Sequence, residues 1–137
     1  MIRVAKEDDI EFLNQLGLLN YENFDKRFDL KSDLNNNLVI ILVYDDNDIK
    51  GFLYALNLID NIDLLYIVTD ERYRRKGVAK ELLNYLIKKY QKPIMLEVRV
   101  DNSAAISLYE SLNFQKIYMR KKYYNNLIDA IIMRREK

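Results

Sequence analysis

The chain has 137 residues, of which 50% are hydrophobic and 31% charged, and its formal net charge is +1. This is the composition of an ordinary globular domain, and the near-neutral balance argues against binding nucleic acid or membranes through bulk charge. There is no cysteine and no histidine, which excludes disulfides, Cys/His zinc sites and triads built on His or Cys. Any catalytic acid or base must therefore be Asp, Glu, Lys or Tyr.

We expect a single domain over residues 1–137. The amino-terminal segment MIRVAKEDDIEFL is charged from its start and has no long apolar run. It does not have the pattern of a signal peptide or a membrane span, so the expected location is cytoplasmic.

The first sixty residues predict a strand, one or two helices and a hairpin. The expected strand is Ile2–Ala5, and Glu7–Leu19 has helical spacing of its apolar residues. Tyr21–Leu34 is ambiguous between a second helix and a helical loop. The apolar runs Leu38–Tyr44 and Ile49–Ile59 flank an acidic turn, which is typical of a hairpin. The apolar residues of the first helix are Ile10, Leu13, Leu16 and Leu19.

A strand, a helix and a second strand follow in the middle of the chain. Ile62–Asp70 is apolar on both faces, as expected of a central strand. Gly77–Tyr90 has the clearest helical pattern, with apolar pairs every four residues and lysines between them. The only proline, Pro93, separates this helix from a strand at Ile94–Val100.

The last third predicts a helix and a final pair of strands. Asn102 or Ser103 caps the helix SAAISLYESL, and Asn113 stands where a left-handed residue ends a helix. Phe114–Arg120 and Asp129–Arg135 are strands joined by YYNNL. This order of elements predicts an α/β protein, with a mixed sheet of six to seven strands flanked by about four helices.

The stretch RYRRKG places three cations, Arg74, Arg75 and Lys76, at the positive end of the helix that opens at Gly77. No Ser, Thr, Asp or Asn precedes Gly77 to cap the helix. A strand, a loop and a helix amino terminus in succession can hold phosphate on backbone N–H groups. We interpret the stretch as an anion site; the alternative is a solvated basic turn.

Two sequence blocks match motifs of a known enzyme family. R-x-x-G-x-A at Arg74–Ala79 looks like the acyl-CoA pyrophosphate loop of the GNAT N-acetyltransferases. LEVRVDNSAAISLYESLNF, Leu96–Phe114, with the later YY and DAIIM, is similar to the ribosomal-protein-alanine N-acetyltransferase branch. The resemblance covers about Leu64–Arg134 and implies the GNAT fold, with acetyl-CoA as cosubstrate and no metal.

The family also implies where the cosubstrate binds. Backbone groups of the central strand pair with the pantetheine arm in a gap where the sheet splays, between strands Ile62–Thr69 and Ile94–Val100. Backbone N–H groups at a strand bulge near Val68 polarise the thioester. The implied cofactor-binding residues are Ile67, Val68, Thr69, Arg74, Arg75, Lys76, Gly77, Val78, Ala79, Lys80, Asn102 and Tyr109.

Two residues are candidates for acid–base chemistry. In LEVRV, strand alternation places Glu97 on the face opposite Leu96 and Val98; alternatively, it is a carboxylate neutralised by Arg99 or at a sheet edge. Tyr109 follows the helical stripe, so it is either a core aromatic or a functional hydroxyl. The resemblance implies that Glu97 is the general base, acting through water on the acceptor amine, and that Tyr109 protonates the leaving thiolate.

The amino-terminal third departs from the family. It reads LNYENFDKRFDL where the ribosomal branch carries a Phe-Pro-Trp-Ser-like segment, and Asn113 replaces a common glycine. We expect an enzyme acting on a primary amine, foremost a protein amino terminus. The alternatives are a polyamine or aminoglycoside acetyltransferase, a nucleic-acid binder and a catalytically silent acyl-CoA binder. RYRRK and YMRKKYY suggest nucleic acid. The acidic residues that suggest a cationic acceptor are Glu22, Asp25 and Asp29.

Overall fold

A computed structural model describes residues 1–124 and 127–137. The described residues form one seven-stranded sheet and five α-helices. The predicted α/β class and mixed sheet are confirmed, with one helix more than expected. Of the predicted YYNNL connection, Asn125 and Asn126 lie outside the described residues, and the preceding strand continues to Tyr124. In the part of the chain that the structure describes, no helix is long and apolar enough to cross a membrane.

The strands agree with the predicted runs to within a few residues. They are β1 (Ile2–Val4), β2 (Val39–Asp46), β3 (Asp48–Asn57), β4 (Ile62–Thr69), β5 (Ile94–Arg99), β6 (Gln115–Tyr124) and β7 (Ile128–Arg135). The helices are α1 (Ile10–Asn20), α2 (Phe24–Arg27), α3 (Leu30–Asp33), α4 (Val78–Tyr90) and α5 (Ser103–Ser111). Of the two predicted caps of α5, Asn102 is the one used, and Asn113 has the expected left-handed backbone, with φ 72°.

The sheet consists of two antiparallel halves joined by one parallel contact. The strand order is β1-β2-β3-β4-β5-β7-β6. Strands β4 and β5 both lie within the described residues. They pair over three positions, and the last pair is Leu64 with Leu96. Beyond this point the two strands diverge, so the predicted splay between them is confirmed.

A bulge in β4 lies at the point where the splay begins. Tyr54 of β3 pairs with Tyr66 and the next residue, Ala55, pairs with Leu64, so Leu65 is an extra residue in β4. An extra residue reverses the alternation of side chains along a strand. Accordingly, Leu64 packs into the core under α4, whereas both Leu65 and Tyr66 face the opposite core. The bulge predicted near Val68 is therefore three residues earlier.

Two hydrophobic cores hold helices against the two faces of the sheet. One core joins α4 and α5 to residues such as Leu64, Leu96 and Met133. The other joins α1, α2 and α3 to the far face and is rich in aromatic rings, with Phe24 and Phe52 fully buried. Burying a side chain of this size stabilises the fold by about 1.5–3 kcal/mol. The three layers therefore fix both helix groups relative to the central splay.

The amino-terminal helices differ from prediction in two respects. A 3-10 turn over Glu7–Asp9 precedes α1, and the ambiguous segment after α1 folds as the two short helices α2 and α3. The expected apolar stripe of α1 stops at Leu16, because Leu19 lies in the last turn of the helix and is 83% exposed.

An ion pair ties the start of β1 to the entrance of α1. Arg3 donates two hydrogen bonds to Asp9, at 2.8 and 3.0 Å, and a third to Asp45 at 3.0 Å. The Arg3 guanidinium holds the pKa of the nearly buried Asp9 carboxyl below its usual range. Since the folded-state pKa is lowered, this stabilisation is present above the unfolded-state pKa, about 4, and is lost as pH falls through the folded value.

We expect Asp9→Asn to lower the free energy of unfolding by about 1–3 kcal/mol at pH 7, because it leaves the Arg3 charge without its main partner. The difference from the wild type should begin to narrow below about pH 4, where the unfolded-state carboxyl takes up a proton, and should close as pH falls through the lower folded-state pKa of Asp9. Urea unfolding across this pH range measures the effect. Asp8→Asn, at an exposed neighbour, is the matched control; an equal loss in both variants would contradict the role of the pair.

Candidate functional site: an open helix terminus and a split sheet

The loop between β4 and α4 is shaped to present backbone N–H groups. Asp70 caps its first turn, accepting from the Arg72 backbone at 3.0 Å and from the Arg72 guanidinium at 2.9 Å. Further along, Arg75 and Gly77 both have positive φ, 65° and 82°. Such conformations turn successive N–H groups towards one concave side, which is a common arrangement around anions.

The amino terminus of α4 has no capping side chain, as the sequence predicted. At Gly77 an added Cβ would meet nothing within 4 Å, so the glycine is needed for its left-handed backbone and not for space. Arg75, Lys76 and Lys80 are exposed beside these N–H groups, Ala79 is partly buried, and Val78 turns into the core. Uncapped donors, a positive dipole end and nearby cations fit a polyanion such as a pyrophosphate.

Arg74 makes a different contact from its neighbours in the loop. Its guanidinium donates to Asn20 Oδ1, at the end of α1, at 2.6 Å, and its Nε donates to the Thr69 carbonyl at 3.3 Å. Arg74 therefore fastens the loop to α1 in this structure, and its predicted direct contact with the cosubstrate stays a prediction. The part played by Asn20 was missed, because nothing in the local sequence links residues 54 positions apart.

Gly51 sets the height of α4 above the sheet. An added Cβ at this position would lie 2.6 Å from the Val68 carbonyl oxygen and 3.0 Å from a methyl group of Val78. Distances this short require the backbone or the first residue of α4 to move. A glycine in the middle of a strand is the sequence signal for such a close approach.

The gap beyond Leu64 opens into a cleft of about 1100 Å³ on the α1–α2 side of the sheet. Glu97 lies in it, on the face that also carries Met95 and Arg99, as the alternation predicted. The predicted cofactor strand Ile67–Thr69 runs beyond the last β4–β5 pair, so its β5-facing edge is not used by β5. The residues that line the cleft include Tyr21, Arg27, Asp63, Leu65, Glu97 and Arg120.

Glu97 forms an ion pair with Arg120 on β6, at 3.1 Å. Arg99, the neutralising partner considered from sequence, instead binds Asp101 through two hydrogen bonds. Strand β5 is also interior, between β4 and β7. The two alternatives for Glu97, neutralisation by Arg99 and a position at a sheet edge, are therefore both wrong: its partner is Arg120 and its strand is interior. Arg120 was missed as a site residue, because β6 approaches β5 only through the intervening β7.

Tyr109 occupies the opposite side of β5. It is 6% exposed, shares a core with Leu96 and Val98, and its ring centroid is 5.6 Å from that of Phe114. The structure thus places Tyr109 of α5 in the core that packs on one face of β5, while Glu97 of β5 points to the opposite face. The two are brought to opposite sides of the splay, and the catalytic role of Tyr109 stays a prediction. Asn102 Oδ1 accepts from the Ala105 backbone at 3.2 Å.

An aromatic cluster packs behind the wall of the cleft that faces α1 and α2, and Tyr21 joins this cluster to the cleft lining. Tyr66, the residue after the bulge, contacts Tyr21 and Phe24, with ring centroids 6.2 and 5.1 Å apart. Burial raises the pKa of Tyr66 to about 12. Its phenol is therefore neutral at physiological pH. Neither Tyr21 nor Arg27 was predicted as a site residue, because their segment has no regular pattern from which to infer a face.

Known proteins share both the sequence pattern and the fold of this chain. Residues 5–114 match the family model described as the acetyltransferase (GNAT) family. This chain belongs to the GNAT family. It is similar to an N-alpha-acetyltransferase of Saccharolobus solfataricus, with 32% identity over 98% of this chain and 91% of the relative.

Two further proteins show how far the similarity extends. Ribosomal protein bS18-alanine N-acetyltransferase of Escherichia coli K12 is 41% identical over 61% of each chain. A solved structure of the Escherichia coli enzyme superposes with a TM-score of 0.87 at 26% identity, covering 99% of this chain and 92% of that one. A chimera of the Vibrio cholerae spermidine N-acetyltransferase SpeG has a TM-score of 0.82 at 21% identity and covers 99% and 95%, which supports the fold alone.

GNAT membership confirms the predicted acetyl-CoA-dependent acetyltransferase. This membership favours an active acetyltransferase over the two other interpretations of the sequence, a nucleic-acid binder and a catalytically silent acyl-CoA binder. Among the described residues, no group of three or more acidic side chains is placed to hold a metal ion.

Proposed function

We propose that this enzyme transfers the acetyl group of acetyl-CoA to the α-amine of a protein amino terminus. Acetyl-CoA supplies the thioester carbonyl that the amine attacks. Glu97 takes a proton from the acceptor ammonium through a water, the N–C bond forms, and the C–S bond breaks. Tyr109 gives its proton to the departing sulfur from the other side of the sheet. The second proton that the nitrogen loses on becoming an amide passes to solvent, from which the tyrosinate regains its own, and no acyl-enzyme is needed.

One observation carries this assignment. Glu97 and Leu65 are the first residues of β5 and β4 beyond the last pair, Leu64–Leu96. The carboxylate thus stands where the gap opens into the cleft, within reach of an amine entering from the α1–α2 side. The bulge at Leu65 also frees strand N–H groups at the same depth, where they can polarise the thioester carbonyl.

The cosubstrate would be held along one line through the molecule. The backbone of Ile67–Thr69 offers a strand edge to the pantetheine amides, and the N–H groups from Lys76 to Lys80 cradle the pyrophosphate. Arg75 adds positive charge. Asn102, at the start of α5, keeps its side-chain NH₂ for a cosubstrate contact while its oxygen caps the helix.

A peptide acceptor is supported by the relatives and by the cleft. The Saccharolobus relative matches nearly the whole chain and bears the name of an N-alpha-acetyltransferase. The acidic residues that suggested a cationic small molecule, Glu22, Asp25 and Asp29, are exposed and do not line the cleft. Asp29 instead caps α3 by accepting from the Ser32 backbone.

The test is thiol release from acetyl-CoA with a panel of acceptors. It compares a peptide that begins with alanine, the same peptide with a blocked α-amine and an internal lysine, polyamines and aminoglycosides. We expect turnover on the free α-amine alone, with the acetyl group located by mass spectrometry. Turnover restricted to polyamines or aminoglycosides, or to the blocked peptide, would overturn the assignment to α-amines.

A further inference from the structure

Two guanidinium groups face the cleft from different elements. Arg27, the last residue of α2, is exposed, and its Cζ lies 5.0 Å from the Phe28 ring centroid. Arg120 lies on β6 and its side chain is 45% exposed. Two carboxylates, Asp63 and Glu97, line the same cleft. An acceptor bound at Glu97 therefore lies next to positive charge on the protein.

The Glu97–Arg120 ion pair spans a strand. Glu97 of β5 and Tyr118 of β6 are both paired with Ile132 of β7, so these three side chains share a face. Arg120, two residues beyond Tyr118, is on that face as well, opposite the small Ala130. The arginine side chain reaches back across β7 to place its Nη1 3.1 Å from Glu97 Oε1.

This contact makes Arg120 and an incoming ammonium compete for one carboxylate. When the ammonium reaches Glu97, Arg120 loses that partner, and its guanidinium lies next to the new cation. A like charge beside it is unfavourable, whereas an acceptor that carries its own carboxylate restores the pairing. Asp63, the other carboxylate that lines the cleft, is engaged with Asn61, from which it accepts a hydrogen bond at 2.7 Å.

We propose that Arg120 is a specificity-determining residue that favours peptide acceptors with an acidic side chain at the second position. The inference rests on the proposed transfer to an α-amine. The amine pairs with Glu97 and the neighbouring carboxylate with Arg120, so both members of the Glu97–Arg120 pair keep an oppositely charged neighbour. The second residue is chosen because the two protein groups are in direct contact, and their partners must be close together as well.

The test uses three peptides that begin with alanine and differ only in having Asp, Asn or Lys second. We expect kcat/KM to be roughly fivefold higher for Asp than for Lys at low ionic strength, since ion pairs this exposed contribute modestly. The ratio should shrink as salt rises. Arg120→Gln should bring it to within about twofold, Arg120→Lys should keep it, and Lys116→Gln, which removes an exposed cation of the same strand, should leave it unchanged.

The outcomes separate the two proposals. Equal rates on all three peptides, a preference for Lys, or an Asp preference that persists in Arg120→Gln would overturn the specificity role while leaving α-amine transfer intact. No turnover on any peptide, with acetyl-CoA still bound, would overturn the proposed function and this inference with it. If Arg120→Gln is inactive, binding of the Asp and Lys peptides to that variant is compared instead, and an Asp preference that persists in binding overturns the specificity role.

Discussion

Glu97→Gln should lower kcat by roughly 100-fold or more while leaving the affinity for acetyl-CoA nearly unchanged. Glutamine keeps the size of the side chain but accepts no proton from the amine. The substituted group lies in the cleft, on the opposite side of the split strands from Tyr109 and away from the loop at the start of α4. Steady-state kinetics, with acetyl-CoA binding measured separately, distinguish the two effects.

The matched control is Glu110→Gln, which removes an exposed carboxylate from α5. Since the Glu97–Arg120 pair is partly exposed, its loss should change the unfolding free energy by less than about 1 kcal/mol. A thermal melt therefore checks that the variant is folded. An unaltered kcat over the whole pH range would remove Glu97 from the role of base, and equal losses in both variants would point to a general effect of charge.

Tyr109→Phe should lower kcat by roughly 10- to 100-fold, with little loss of stability. The ring packs in the core against Phe114, and phenylalanine preserves that packing. The hydroxyl alone is removed, so the departing sulfur lacks its proton donor. Turnover is measured by thiol release, and the melting temperature shows that the core is intact.

Tyr85→Phe is the control, because Tyr85 packs against the same core from α4. Truncation to alanine would not answer the question, since removing a buried aromatic ring costs about 3–5 kcal/mol and confounds activity with unfolding. A fully active and equally stable Tyr109→Phe would show that Tyr109 is a core residue only.

The second half of the fold could be predicted from the sequence because its signals are local. The helical repeat of α4, the alternation of β5 and the uncapped Gly77 each depend on neighbouring residues, and each agrees with the structure. Glu97 faces the predicted side of β5 for the same reason.

The cleft walls could not be predicted, because they depend on contacts between distant segments. Arg120 reaches Glu97 across β7, and Arg74 joins Asn20 over 54 positions. The bulge at Leu65 was placed too late, since an apolar strand that is buried on both faces shows no alternation from which to locate an extra residue. The segment between α1 and β2 gave too little periodicity to resolve two single-turn helices.

The three pairs between β4 and β5 have a consequence for how this enzyme responds to heat. Beyond these pairs, the edges of β4 and β5 that face each other are not paired with each other. The two halves of the sheet are therefore joined along a short seam. An extended ligand with alternating amide groups adds cross-links along that seam. At a concentration 100 times its dissociation constant it would stabilise the fold by about 2.7 kcal/mol. The melting temperature would then report occupancy of the seam directly, independently of whether any acceptor is turned over.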